Sequence, residues 1–315
     1  MMQIVCLDSA PADMGDVSWA AVRAHGDLTL HAYTEAADIV PRAKDATVVL
    51  VNKVPMTAET MAALPKLKLI CVLATGYDRI DLEAAKKHGV TVCNVPGYST
   101  GAAAQTAIAL LLELTHGAGN HSAAVHTGEW SRQSTFTYWR QPLIELDGLT
   151  MAIVGYGAIG QRVGAIATAL GMKVIPTAVP GRPASSDRMP LPEAFAQADV
   201  VSLHCPLTDK TRALIHATTL AQLKKGALLV NTGRGPLVDD EAVRAALESG
   251  HLRGYGADVL SQEPPPANHP LFNAPRTILT PHIGWAALTA RQRLLDWTGE
   301  SIAAFLQGAP IRTVA

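Results

Sequence analysis

The sequence predicts an α/β protein built from two doubly wound parallel-sheet domains. Short apolar runs alternate with amphipathic runs, in two successive series that are separated by a long helical stretch. The length of 315 residues favours two domains, and a hydrophobic content of 48% suffices for a core in each. Because strands that are apolar on both faces need cover on both faces, we expect parallel sheets with helices on either side.

The first series occupies about the first hundred residues. Its predicted strands are Gln3–Leu7, Leu28–Tyr33, Ala46–Val51, Leu67–Leu73 and Val90–Val95. Its amphipathic segments are Val17–His25, Thr57–Leu64 and Asp81–His88. Gly26 and Gly89 follow two of these helices, where a left-handed C-cap is expected. A long helix that connects the two series is predicted from Gly101 to about His116, and residues 117–147, here called the arm segment, are polar and aromatic-rich and predict an arm or loop.

The second series starts at Leu149. Its predicted strands are Thr150–Val154, Lys173–Thr177, Val200–His204, Ala227–Asn231, Gly254–Asp258 and Thr277–Thr280. Its predicted helices are Ile159–Leu170, Leu191–Gln197, Thr218–Leu223 and Asp240–Ser249, and one long helix from about Trp285 to Leu306 follows.

Composition excludes several classes of protein. A formal net charge of −1 gives no electrostatic attraction to nucleic acid or to an anionic membrane. No apolar run reaches the roughly 18–20 residues that span a bilayer. The four cysteines form no C-x-x-C pair and are expected to be buried, and no His/Cys/Asp cluster has metal-ligand spacing. With no basic leader before the first strand, we expect a cytoplasmic protein without a signal peptide.

A glycine-rich turn predicts a dinucleotide site. Gly155-Tyr156-Gly157-Ala158-Ile159-Gly160 is a G-x-G-x-x-G element that directly follows an apolar strand and opens an amphipathic helix. Its glycines allow a tight turn, close approach of a pyrophosphate and close packing of helix on strand, while the helix N-terminus binds the phosphates. This context favours a Rossmann dinucleotide-binding domain over a merely structural turn.

The end of the next strand predicts the choice of cofactor. An Asp or Glu that binds the adenosine ribose is expected near Ala178, and no carboxylate occurs there. Arg182 follows four residues later, and a guanidinium suits a 2′-phosphate. We therefore predict NADP(H) in preference to NAD(H), with NAD(H) still possible. The alternative is that Arg182 is only a solvated loop residue.

Three segments beyond predicted strands carry candidate catalytic side chains. They are Asn231–Gly235 with Arg234, Asp258–Pro264 with Glu263, and Pro281–Trp285 with His282. Ligands of open parallel sheets bind beyond the carboxyl ends of the strands, so the three side chains are expected to meet in one cleft.

These segments identify a family. The chain resembles the D-isomer-specific 2-hydroxyacid dehydrogenases over nearly its whole length. The resemblance rests on Gly155–Gly160, on His204-Cys205-Pro206-Leu207-Thr208 and on the three segments just named. Asn52-Lys53, Ala74–Asp78, Asn94–Thr100 and the Tyr138-Trp139 region resemble the branch of glycerate dehydrogenases and hydroxypyruvate and glyoxylate reductases.

The resemblance implies a role for each candidate. Arg234 would bind the substrate carboxylate and polarise the keto oxygen, because its planar fork matches a carboxylate. His282 would donate a proton to that oxygen, and Glu263 would hydrogen-bond the other ring nitrogen. The backbone N–H groups of Thr75 and Gly76 would bind the carboxylate from the first domain, which places the substrate between the domains and lets closure exclude water.

The resemblance also implies the other site residues. Asp258 would contact the nicotinamide carboxamide, and His204 would flank the cofactor without a catalytic role. The remaining residues implied at the cofactor are Cys205, Pro206, Thr211, Thr232, Gly233 and Gly284, and those at the substrate are Asn52, Ala74 and Trp139. Trp139 is either core filler or a residue that packs on a partner subunit and lines its site.

The implied fold is a Rossmann domain at 100–285, inserted into a flavodoxin-like substrate domain at 1–99 and 286–315. A homodimer is implied as well. The implied reaction is the NAD(P)H-dependent reduction of hydroxypyruvate or glyoxylate to D-glycerate or glycolate. Two alternatives stay open: a dehydrogenase for another D-2-hydroxyacid, formate or phosphite, and a dinucleotide-sensing protein of the corepressor type. Glu263 argues against formate oxidation, for which relatives carry Gln.

Overall fold

Two parallel β-sheets organise the chain, which confirms the predicted fold class. The structure is a computed structural model that describes residues 2–183 and 185–315. Its contacts divide the chain into unit 1, Met1–Ser99 with Trp285–Ala315, and unit 2, Thr100–Gly284. Trp285, which the sequence assigned to the second domain, thus lies in unit 1, where its ring contacts Tyr98 edge-on.

Unit 1 contains five strands, all parallel. They are β1 (Gln3–Cys6), β2 (Asp27–Leu30), β3 (Val48–Val51), β4 (Leu69–Val72) and β5 (Thr91–Cys93). The helices are α1 (Ala20–Arg23), α2 (Ile39–Ala43), α3 (Ala58–Ala62), α4 (Leu82–His88) and α11 (Leu288–Leu306). The strand order β2-β1-β3-β4-β5 is flavodoxin-like. Strands β3 and β4 are buried at every residue, which explains their uninterrupted apolar sequence.

Unit 2 contains six parallel strands. They are β6 (Thr150–Val154), β7 (Lys173–Thr177), β8 (Val200–Leu203), β9 (Ala227–Asn231), β10 (Leu252–Ala257) and β11 (Thr277–Leu279). The helices are α5 (Thr100–His116), α6 (Ala118–His126), α7 (Ala158–Ala169), α8 (Leu191–Gln197), α9 (Ala217–Leu220) and α10 (Asp240–Glu248). The strand order is β11-β10-β9-β8-β6-β7. The chain leaves β6 for β7 on one side and returns to β8 on the other, so a crevice opens between the ends of β6 and β8.

Three sequence-based expectations about local structure need correction. Gly89 has the predicted left-handed φ of 66°, whereas Gly26 does not. Gly26 is instead required by packing, because an added Cβ would lie 2.3 Å from the backbone oxygen of Met2. Helix α2 was not predicted, and the chain there contains Pro41. Helix α5 does more than connect the two series, because its apolar face joins the core of unit 2 against β9, β10 and α7.

The arm segment is partly helical rather than a loop. It contains α6 and a short 3-10 turn at Trp130–Arg132, and few of its side chains are buried. The prediction missed α6 because its Ala, Gly, Asn and His residues have no apolar periodicity. No helix in the described part of the chain is long and apolar enough to cross a membrane.

Candidate active site

The glycine turn lies between β6 and α7, at the crevice of unit 2. Gly155 has a φ of 97°, and a Cβ there would lie 2.4 Å from the backbone nitrogen of Cys205. A Cβ on Gly160 would lie 2.2 Å from the oxygen of Gly155. At Gly157, an added Cβ would meet nothing within 4 Å. Two glycines are therefore required by packing, and the third leaves open space before α7.

This open space fits the phosphates of a dinucleotide. Helix α7 has 12 residues and begins at Ala158, directly after Gly157. The first N–H groups of a helix lack partners within the helix, and its dipole is positive at that end. Ala158 and Ile159 bring such groups to the turn, while Tyr156 packs its ring beneath the Arg188 guanidinium at 5.1 Å. The described residues thus suit an anionic ligand here.

The segment after β8 forms the opposite wall of the crevice. The His204 ring lies between two hydroxyls, with Nε2 2.8 Å from Ser202 Oγ and Nδ1 3.3 Å from Thr232 Oγ1. Burial lowers the pKa of His204 from 6.5 to about 4, so the ring is neutral at pH 7. The Thr211 hydroxyl donates to the oxygen of Pro206 at 2.7 Å and thereby shapes the loop.

A cavity of about 260 Å³ adjoins the ends of β7 and β8. Arg182 lines it from the segment after β7, and Lys210 lines it from the segment after β8, together with Asp209. A Cβ on Gly181 would lie 2.8 Å from Lys210 Cδ, so the two segments are in contact. Sequence reasoning missed Lys210, because no motif relates it to Arg182 across the two loops.

The strongest geometric feature is the pair of His282 and Glu263. Nδ1 of His282 lies 2.7 Å from Oε2 of Glu263. The other carboxylate oxygen, Oε1, accepts the backbone N–H of Leu260 at 3.0 Å. Both side chains are about one-third exposed, at 31% and 36%. The carboxylate therefore fixes the ring from one side and leaves Nε2 as the nitrogen that can exchange a proton with a ligand.

Asp258 holds the segment that carries His282. Its carboxylate accepts the Thr280 hydroxyl at 2.6 Å and the backbone N–H groups of Ile283 and Gly284 at 2.9 and 2.7 Å. Asp258 is only 2% exposed. The sequence assigned Asp258 to the nicotinamide, whereas the structure shows that it also fixes the backbone on both sides of His282.

Arg234 lies at the same edge of the sheet, directly after β9. The buried Asn231 amide accepts the N–H of Gly233 and donates to the oxygen of Arg234, both at 3.0 Å. The exposed guanidinium contacts the oxygen of Gly233 at 2.8 Å. A Cβ on Gly235 would lie 1.9 Å from the backbone of Leu260, so this segment packs directly on the segment that leads to Glu263. Arg234, Glu263 and His282 thus follow three neighbouring strands, β9, β10 and β11.

In unit 1, the predicted substrate residues also lie beyond strand ends. The Asn52 side chain is 7% exposed and donates to the oxygen of Leu73 at 2.7 Å, so it braces the loop at Ala74. Thr75 and Gly76 follow, and the Asn94 amide donates to the oxygen of Thr75 at 2.7 Å.

Asp8, which sequence reasoning missed, also braces this edge of unit 1. Its carboxylate accepts the N–H groups of Asn52, Lys53 and Val54 at 2.7, 2.6 and 3.0 Å. Burial raises the pKa of Asp8 although these three bonds oppose the shift. No sequence signal distinguishes this Asp from others that follow strands.

Trp139 is 64% exposed, so its interpretation as core filler is wrong. Phe136 and Trp130 of the arm segment are 88% and 50% exposed. The Tyr138 hydroxyl is buried and has no hydrogen-bond partner among the described residues. The arm segment therefore presents aromatic side chains outward. The four cysteines are buried free thiols, as predicted, and the described residues contain no group of three potential metal ligands.

Known proteins resemble this chain over its full length. The family model for the NAD-binding domain of D-isomer-specific 2-hydroxyacid dehydrogenases matches residues 108–284. A hydroxypyruvate reductase of Blautia hydrogenotrophica is 39% identical over 320 residues, covering 99% of each chain. A glycerate dehydrogenase of Methylorubrum extorquens is 39% identical over 279 residues, covering 88% of each. The structure of an acyclic imino acid reductase, Bsp5, in complex with NADPH and D-Arg matches with a TM-score of 0.86 at 26% identity, over 100% of both chains.

Proposed function

The chain belongs to the family of D-isomer-specific 2-hydroxyacid dehydrogenases, and from this premise we propose that it reduces hydroxypyruvate or glyoxylate to D-glycerate or glycolate with NADPH. It is an NAD(P)-dependent oxidoreductase that acts on a CH–OH group. The names of the two curated relatives support this choice of substrate. The observation that carries the proposal is the 2.7 Å contact of His282 Nδ1 with Glu263 Oε2, at the edge that also holds Arg234.

In the proposed reaction, His282 supplies the proton. Its protonated ring donates from Nε2 to the keto oxygen, which becomes the hydroxyl of the product. The Glu263 carboxylate accepts the hydrogen bond from Nδ1–H, fixes the orientation of the ring and stabilises the imidazolium. When bound, the reduced nicotinamide supplies the hydride that the carbonyl carbon receives. In the reverse direction, neutral His282 removes the hydroxyl proton.

Arg234 is proposed to bind the substrate carboxylate and to polarise the keto oxygen. A guanidinium stays charged throughout the pH range and offers two parallel donors to a carboxylate. The two hydrogen bonds between the Asn231 amide and the backbone of Gly233 and Arg234 support this role. They fix the backbone from which a long and otherwise mobile side chain extends. In unit 1, we propose that Thr75 and Gly76 bind a carboxylate through their backbone N–H groups.

The cofactor residues are proposed as follows. The turn at Gly157 and the first N–H groups of α7 hold the pyrophosphate. Asp258 and Gly284 are proposed at the nicotinamide end, where the Asp258 carboxylate would accept a further hydrogen bond from the carboxamide. The segments around His204 and Thr232 line the crevice between these ends.

The preference for NADPH is proposed from the charges around the cavity beyond β7 and β8. Arg182 and Lys210 bring two positive charges to its wall, and Asp209 brings one negative charge. A 2′-phosphate carries more negative charge than a ribose hydroxyl and therefore gains more from this net positive wall. An NAD-preferring domain instead places a carboxylate at the end of the second strand, where this chain has Ala178.

The assembly and compartment are also proposed. The exposed aromatic side chains of the arm segment favour a homodimer in which a second copy covers them. The four buried free thiols suit the reducing environment of a cytoplasm. A net charge of −1 supports a small-molecule enzyme with neither nucleic acid nor membrane as a partner.

A spectrophotometric assay of several 2-keto acids with each cofactor tests the proposal. We expect oxidation of NADPH with hydroxypyruvate and glyoxylate, at a higher kcat/KM than with pyruvate or branched 2-keto acids. We also expect NADPH to bind more tightly than NADH. Arg182→Ala should narrow this difference without changing the affinity for NADH, which serves as the internal control.

Two outcomes would contradict the proposal. A clear preference for NADH would refute the assignment of the cofactor while leaving the family unaffected. Tight NADPH binding without turnover of any 2-keto acid would refute the enzymatic role and favour a dinucleotide sensor.

A further inference from the structure

A second histidine–carboxylate pair lies outside the candidate catalytic groups, in the interior of unit 2. Nε2 of His269 lies 3.2 Å from Oδ2 of Asp240, and the two side chains are 2% and 8% exposed. Asp240 is the first residue of α10, whereas His269 lies in the chain between β10 and β11. The pair therefore links a regular helix to a segment that has no helix or strand.

The hydrogen bonds assign the proton of the His269 ring. Nδ1 accepts the backbone N–H of Leu271 at 3.3 Å, so the ring proton is on Nε2. Nε2 lies 3.2 Å from Asp240 and 3.4 Å from the Ser261 hydroxyl. The neutral ring thus donates towards α10 and accepts from its own segment. This arrangement fixes the direction of the ring as well as its position.

The segment that His269 anchors is the one that carries Glu263. Residues 258–276 contain no regular helix or strand, so they need other contacts to fix their path. Ser261, two residues before Glu263, contacts His269, and the buried Asp240 carboxylate accepts a hydrogen bond from the same serine. On the side that faces β9, Leu260 packs on Gly235 and donates its backbone N–H to the Glu263 carboxylate.

We propose that Asp240 and His269 are positioning residues that fix the Ser261–Glu263 segment, so that the Glu263 carboxylate stays on Nδ1 of His282. The route runs from α10 through Asp240, His269 and Ser261 to Glu263. Every member lies in unit 2. Asp240 contacts His269 and His269 contacts Ser261, and the chain itself connects Ser261 to Glu263, which contacts His282. This inference rests on the proposed catalytic roles of Glu263 and His282.

Stability alone does not account for this pair. Moving a carboxylate out of water costs more than a neutral histidine returns, and well-packed apolar residues in place of such a pair are often as stable. Burial raises the pKa of Asp240, which reflects this cost. The pair supplies directional contacts to an irregular segment, and an apolar pair of the same volume provides none.

A double-mutant cycle with Glu263 tests the inference. His269→Asn keeps an acceptor where Nδ1 accepts from Leu271, but its amide is too short to reach Asp240. We expect about a tenfold fall in kcat for 2-keto acid reduction in the native background, and less than about twofold in the Glu263→Gln background, because the route then has no endpoint. His269→Gln places an amide donor near the position of Nε2 and should restore most of kcat. Asp240→Ala removes the other partner of the contact. The same cycle with Glu263→Gln is therefore measured for Asp240→Ala as well as for His269→Asn.

Two controls separate positioning from general destabilisation. The Kd of NADPH should stay unchanged in His269→Asn, because the glycine turn follows β6, which is three strands away from β10 in the sheet. His251 is a different histidine of unit 2, whose ring contacts the backbone oxygen of Leu220 at 2.8 Å. His251→Ala should leave kcat unchanged. Equal losses in the native and Glu263→Gln backgrounds, or the same loss in His251→Ala, would overturn the proposal.

A spectroscopic measurement distinguishes failure of this inference from failure of the proposed function. With ¹⁵N-labelled histidine, the Nδ1–H of His282 bound to Glu263 gives a downfield proton resonance, identified by its loss in Glu263→Gln. In His269→Asn we expect this resonance to shift or broaden, and in His251→Ala to stay in place. An unchanged resonance in His269→Asn would refute the positioning role even if the protein reduced no 2-keto acid.

Discussion

Among single residues of the candidate site, His282 has a left-handed backbone although it is not a glycine. Its φ of 53° lies in the left-handed region, which costs a non-glycine residue about 1–2 kcal/mol. The three hydrogen bonds that Asp258 accepts around it offset that cost, since hydrogen bonds to charged groups contribute about 1.5–3 kcal/mol each. The orientation of the His282 ring is therefore fixed both by its backbone conformation and by its hydrogen bond with Glu263.

Removal of the proton donor gives the first prediction at this scale. His282→Ala should lower kcat for 2-keto acid reduction by roughly 100- to 10,000-fold, the usual contribution of a positioned acid–base group. Arg234→Ala and Glu263→Gln should also lower the rate with the fold intact. Circular dichroism and the Kd of NADPH serve as controls and should not change. Near-normal turnover by His282→Ala would refute the assigned proton donor.

His204 gives a prediction about stability and pH. Its pKa is about 4 in the folded protein and 6.5 in the unfolded chain, so below pH 6.5 the unfolded chain binds a proton that the folded chain does not. The contribution to stability is thus complete above pH 6.5 and decreases as the pH falls towards 4. At pH 4.5 the loss is about 2.5 kcal/mol.

Urea unfolding of the native protein and of His204→Gln, each at pH 7.5 and 4.5, measures this loss. The variant lacks the titrating ring and should lose about 2.5 kcal/mol less between the two pH values. All carboxylates titrate alike in both proteins, so their effect cancels. Equal losses in the two proteins would show that the ring is protonated in the folded state.

The sequence predicted individual residues well where a motif surrounds them. Glycine spacing predicted the turn at Gly155–Gly160. The order of the segments along the chain predicted that Glu263 and His282 follow strands of one sheet edge, and there their side chains form a pair. Lys210, Asp8 and the pair of Asp240 and His269 were not predicted, because their partners lie on other loops and no spacing along the chain relates them. Such contacts follow from tertiary packing alone.

At the scale of elements, burial determines how well the sequence predicts structure. Strands β6, β7 and β9 have the predicted bounds, and the other strands differ from prediction by a few residues at their ends. Most of these strands end one to three residues before the predicted end, because an apolar run of the sequence continues to the first turn residue whereas the strand ends before it. Helix α6 lies on the surface, with only Ala124 buried, so it lacks the apolar face that makes a helix detectable.

For the whole molecule, the arm segment predicts the assembly. Trp139, Phe136 and Trp130 are at least half exposed, and Leu143 of the same segment is 48% exposed. Exposed apolar surface on a soluble monomer is usually small, so these side chains support the proposed interface. A second copy of the chain is the proposed cover, in agreement with the family resemblance.

Sedimentation velocity measures this assembly. We expect a species of twice 33.2 kDa for the native chain, and a shift towards monomer for Phe136→Ser combined with Trp139→Ser, since aromatic anchors contribute most to such interfaces. Tyr33→Ser is the matched control, because Tyr33 is 73% exposed but lies in unit 1, and it should leave the mass unchanged. If Trp139 also lines the partner's site, Trp139→Ala alters selectivity among 2-keto acids while the mass stays dimeric. A native chain that sediments as a monomer at all concentrations would refute the interface and leave these aromatic side chains in solvent.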